Sequence, residues 1–142
     1  MNSKQVRDAL KTVVEGVTIP AASQASRDDG FRYLGDLEEM RLDREFRLDL
    51  ASPAAPSDRM TAGIYTQSDP RVCEWELSVG YVIANGVQDR ACEDSDLISD
   101  ELYKLHETTG IFSDAWTANT TDFIDGIMLI GWTVTVEYDR RA

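Results

Sequence analysis

Two stretches of strict two-residue hydrophobic alternation constrain this chain more than any other feature. Cys73, Trp75, Leu77, Val79, Tyr81 and Ile83 occupy odd positions, while Glu74, Glu76 and Ser78 fall between them. Near the end of the chain, Met128, Ile130, Trp132, Val134, Val136 and Tyr138 share one parity, and Thr133, Thr135 and Glu137 the other. Successive side chains of a strand point to opposite faces, so this rhythm predicts two long strands, each with one apolar and one polar face. A strand from Cys73 to Ile83, at roughly 3.3 Å per residue, spans about 36 Å. One end is therefore expected to overhang the core or run along a partner.

The remaining elements follow from period and punctuation. Val6, Leu10, Val13, Val14 and Val17 line one face of an N-terminal helix that Asn2 or Ser3 caps, with Gln5 at the capping-box position and Gly16 and Pro20 as stops. Residues 21–27 read as a small polar linker. Asp28-Asp29-Gly30 signals a turn before a short extended segment, Phe31 to Leu34. Asp36 to Arg44 suits a loop or one exposed helical turn. From Glu45 the period is two, with Phe46, Leu48 and Leu50 alternating against Glu45, Arg47 and Asp49.

Residues 51–71 carry three prolines and few large apolar side chains, which predicts a long protruding loop. Asn85-Gly86 ends the long strand. A second helix is expected from Asp94 to Thr108, with Asp94 and Asp96 at its positive end, Leu97, Ile98, Leu102 and Leu105 as its buried stripe, and Gly110 at its exit. Residues 116–123 read as a weak strand, and Asp125-Gly126 as a hairpin turn into the last strand. Strands that come in clusters with hairpin-like connections predict a single α+β domain over 1–142. The expected architecture is a mainly antiparallel (mixed) sheet with two helices packed on one face.

Charge narrows the partners. Fourteen Lys and Arg stand against 26 Asp and Glu, a formal net charge of −12. Phosphate backbones and anionic lipid surfaces call for basic patches, so nucleic acid and membrane are not expected partners. No apolar run approaches 18 residues, and a cytoplasmic chain is expected. Two cysteines, Cys73 in an apolar alternation and Cys92 ahead of the second helix, make no disulfide framework.

A search for chemistry returns little. The single histidine, His106, has no nucleophile in a recognisable local motif and reads as a helix-end residue. There is no Cys-x-x-Cys or His-x-x-x-His for zinc, and Glu93-Asp94-Ser95-Asp96 lacks the glycine and spaced glutamate of a calcium loop. Neither a metal, a cofactor nor a catalytic residue is expected. Glu74 and Glu76 project to one side of a strand about 7 Å apart, which suits a solvated or interfacial face better than an acid/base pair. Arg41, Arg44 and Arg47 are the opposite charges available to them. Arg44, Arg47, Glu74 and Glu76 are accordingly the candidate interface residues.

The order of elements, with the phrases Arg44-Glu45-Phe46-Arg47-Leu48, Tyr81-Val82-Ile83 and Val134-Thr135-Val136-Glu137-Tyr138, resembles the tail-terminator (tail-completion) proteins of long-tailed phages and gene transfer agents. The likeness runs from Met1 to Arg141 and is weakest over 21–43. It implies a virion protein, assembled in the host cytoplasm, that forms a homohexameric ring. Such a ring caps the head-proximal end of the tail tube, contacts the tube protein and the head-completion (connector) protein, and lets genomic DNA pass without specific binding. Other neck components, head-completion or minor tail proteins, share this description. An acidic DNA-mimic inhibitor is the alternative from a different class. It calls for carboxylates in two phosphate-like rows, whereas here they are interspersed with apolar alternation.

Overall fold

A computed structural model describes residues 2–19, 30–36, 38–56, 69–108, 112–118 and 122–140, with the backbone course alone for 106–108, 112–118 and 122. Helix α1 (Ser3–Glu15) begins where the sequence sets it. Asn2 Oδ1 accepts the Gln5 N–H at 2.9 Å and the Asn2 N–H donates to Gln5 Oε1 at 2.8 Å, which satisfies two donors that the first turn leaves open. Val6, Leu10 and Val14 are its buried stripe and Gly16 its C-cap.

The sheet comprises β1 (Arg32–Tyr33), β2 (Glu45–Pro56), β3 (Pro70–Val82), β4 (Phe112–Ala118), β5 (Asp122–Ile124) and β6 (Ile127–Asp139). Its order is β1-β2-β3-β6-β4, with β5 also paired to β6. Only β1–β2 is parallel, so the sheet is mixed and mainly antiparallel. The two alternating stretches are neighbours: β3 pairs with β6 from Pro70↔Asp139 to Val82↔Ile127 without a register shift. Cys73, Trp75, Leu77, Val79 and Tyr81 of β3 and Trp132, Val134 and Val136 of β6 therefore build one continuous apolar face. Both helices cover that face, α2 (Val87–Thr108) through Ala91, Ile98, Leu102 and Leu105. At Asp125 (φ 50°) and Gly126 (φ 79°) the backbone makes the left-handed two-residue turn that matches strand twist, as the Asp-Gly pair predicts.

Three expectations change. The 51–71 loop is shorter than its composition suggests, because residues 51–56 continue β2 and Pro70 and Arg71 already belong to β3. Pairing persists through Ser52↔Glu74, Ala55↔Val72 and Pro56↔Arg71, with register shifts on either side of Ser52. Strand β1 pairs with β2 only at Glu45 and Phe46. Pro53 and Pro56 thus sit where, among the described residues, no outer ladder needs their missing N–H, and Pro70 takes the first position of its strand. Residues 57–68, like the linker at 21–27, lie outside the described residues.

The second helix begins at Val87 rather than Asp94, placing Cys92 inside it and Asp89 in its first turn. Leu50 is 49% exposed despite its place in the alternation, since the β2–β3 register shifts immediately after it.

Candidate functional site

With both helices on one face, the opposite face of the sheet carries the polar rows of β2, β3 and β6. Arg47 faces Ser78, Asp49 faces Glu76 and Ser52 faces Glu74 across β2–β3, while Thr133 and Thr135 continue these rows on β6. Asp49 and Glu76 are therefore like charges directly opposite one another, an arrangement that costs stability on an isolated sheet. Arg47 offsets part of this. Its guanidinium donates to Asp49 Oδ1 at 3.2 Å and to the Asp36 carbonyl at 3.1 Å. Glu74 accepts from Ser52 Oγ at 3.3 Å. Arg47, Glu74 and Glu76 thus share one polar face, although Arg47 pairs with Asp49 and not with either glutamate.

Arg44 is elsewhere. It is 1% exposed and its guanidinium donates to Asp94, itself wholly buried, at 2.8 Å and 3.3 Å. A candidate interface residue is thereby corrected to an interior one. The Tyr81 hydroxyl donates to the same Asp94 carboxylate at 2.8 Å. Burial, then the charge of Asp94 and this hydrogen bond, push the Tyr81 phenol far above its ordinary range.

The preceding residue repeats the pattern with opposite signs. Asp43 accepts the Val82 N–H at 2.8 Å and pairs with Arg90 at 3.3 Å. Arg90 and Asp94 are one helical turn apart on α2, so the consecutive Asp43 and Arg44 grip two successive turns of one helix. Arg44 reaches its partner with φ at 62°, a left-handed conformation that is costly for a residue with a Cβ. Its N–H donates to the Gly80 carbonyl at 2.9 Å.

The same segment shapes the end of the polar face. Glu45 is buried because its carboxylate accepts the N–H groups of Arg41 (2.7 Å) and Leu42 (2.6 Å). Met40 lies over Gly80, where an added Cβ would come within 2.5 Å of its sulfur. Between this strap, residues 39–41, and the β5–β6 turn lies an open groove of about 660 Å³ whose lining includes Ser78 and Leu129.

The sequence held one signal for the buried pair. Val87, Ala91, Asp94, Ile98, Leu102 and Leu105 recur at helical spacing, so Asp94 occupies a core position of the stripe. Reading Asp94 as a helix cap hid it.

Among the described residues, no three His, Cys, Asp or Glu side chains are placed to hold a metal ion, and no helix is long and apolar enough to cross a membrane. The His106 side chain lies outside the described residues. Compared with known proteins, the chain matches no family model and no curated protein sequence.

Proposed function

We propose that this chain is a structural assembly protein without enzymatic activity. In the reading that fits it best, it is a tail-terminator-like neck subunit that closes into a homohexameric ring on the tail tube. The likeness in element order and phrase set out above supplies the family. One structural observation supports a role through surfaces: helices cover one side of the sheet, and the other side displays Arg47, Asp49, Glu74 and Glu76 in ordered rows. Residues 51–56, mostly exposed, also continue β2 alongside Val72 and Arg71, which leaves that end of the strand open to a neighbour.

A closing ring needs two different patches of one subunit to meet. The charged rows and the exposed end of β2 are suited to that use. A net charge of −12 makes subunits repel one another, so ring closure is expected to wait for the tail tube as template. Carboxylates along a channel would also leave passing DNA unbound.

Negative-stain imaging of the purified protein and of assembled particles tests this reading. A six-fold ring at the head-proximal end of tails is the expected result. Particles whose tails end normally without this chain would overturn it.

A further inference from the structure

Exposed large apolar side chains are not scattered evenly over the described surface. Val82, Ile83, Phe123 and Ile124 gather at one end of the sheet, where β3 leaves it and β5 turns into β6. The Ile83 N–H donates to the Gly126 carbonyl at 3.1 Å, which holds the two turns side by side. Val82 and Ile124 are also walls of the groove beneath the Met40 strap. An apolar cluster beside a concave groove is the ordinary form of a protein-docking surface.

Charge selects the occupant. Three carboxylates, Glu39, Asp49 and Asp125, line the groove with the guanidiniums of Arg41 and Arg47, and Glu76 and Glu74 lie farther along the same face. Arg47 is already engaged by Asp49 and the Asp36 carbonyl. The field over the groove is therefore negative, and a second copy carrying −12 is a poor match for it.

We infer that the groove between the Met40 strap and the β5–β6 turn docks a segment of a different protein, one that inserts an aliphatic side chain flanked by lysine or arginine. The apolar anchor fills the space over Leu129 and Ser78, and the basic flanks meet Glu39 and Asp125. This inference does not depend on the ring reading, because it concerns the chemistry of one groove whatever the assembly.

The test uses the full chain and two synthetic peptides, each with a Leu-Ile-Val centre, one flanked by lysines and one by glutamates. Methyl NMR shifts at Val82, Ile124, Ile127 and Leu129 report occupancy. The lysine peptide is expected to shift these signals and to bind about tenfold or more tightly than the glutamate peptide at low salt. Ile124→Asp removes that binding, whereas Leu50→Asp, at an equally exposed apolar site outside the groove, retains it. Failure of the lysine peptide to bind, equal binding of both peptides, or shifts confined to other surfaces would overturn the inference. So would groove shifts that follow protein concentration alone, since they mark a second copy as occupant. A six-fold ring on tails whose protein binds neither peptide removes this inference and leaves the ring reading standing.

Discussion

The guanidinium of Arg44 and the carboxylate of Asp94, fifty residues apart in sequence, meet at 2.8 Å in the interior of the protein. The pair joins the turn before β2 to the N-terminal half of α2, and Tyr81 adds a third member from β3. Taking two charges out of water is costly, so such a pair does more to fix an arrangement than to add net stability. Here the arrangement fixed is the strap that walls the groove.

Removing one partner breaks a buried ion pair and leaves the other charge in the interior. Asp94→Leu is expected to destabilise the fold by about 3–5 kcal/mol, and Arg44→Met by a similar amount. The double replacement with Tyr81→Phe, which removes all three of these polar groups together, is expected to cost much less than the sum. Urea denaturation of the four proteins measures this coupling, and additive losses would contradict it.

Gly80 is a second site where the strap is sensitive. A Cβ there meets the Met40 sulfur at 2.5 Å and Ile127 Cγ2 at 3.2 Å. Gly80→Ala is expected to cost about 1–3 kcal/mol by overpacking, and Met40→Ala in the same chain to recover part of it. Thermal melts of the two single variants and the double variant check the sign of this coupling.

Stability is expected to fall at alkaline pH. Burial pushes the Cys73 thiol from 9.0 up to about 11, and the Tyr81 phenol is raised further from 10.0. Both groups are neutral when protonated, so above pH 9 the native state holds protons that the unfolded chain has released. Their contribution is fully present below pH 9 and is lost as pH rises, at up to about 1.4 kcal/mol per pH unit for each titrating group. Denaturation midpoints between pH 8 and 11 should decline, and Tyr81→Phe should flatten the decline above pH 10. A thiol reagent at neutral pH should modify exposed Cys92 and spare buried Cys73 until the protein unfolds.

Reversal of the sheet-face charges separates assembly from folding. Glu74→Lys with Glu76→Lys replaces like-charge proximity to Asp49 by attraction, so the monomer's stability should change by no more than about 1 kcal/mol. Ring formation and tail joining, scored by imaging, should fail if this face is a subunit contact. Normal tails built with the reversed chain would remove that role. Salt is a parallel probe: self-association should strengthen as ionic strength screens the net charge of −12.

Much of the architecture was legible because it rests on local rules. The Asn2–Gln5 box marked the first helix, alternation marked β3 and β6, and Asp125-Gly126 marked the hairpin turn into β6. Composition misled at residues 51–56, where prolines that break a central strand are harmless along an outer edge. At Asp94, an acid near a helix start resembled a cap; its place on the apolar stripe marks it as buried, but nothing local identifies the cation fifty residues away that it meets.

What the sequence determined by itself was the period of each segment, and with it which side chains of β3 and β6 must face a core. Tertiary structure decided the rest: that Arg44 turns inward at φ 62° to meet Asp94, that Met40 closes over Gly80, and that Arg47, Glu74 and Glu76 share one face. Periodicity is a property of neighbours along the chain. The partner of a buried charge, or the wall of a groove, depends on which distant segments the packed sheet brings together.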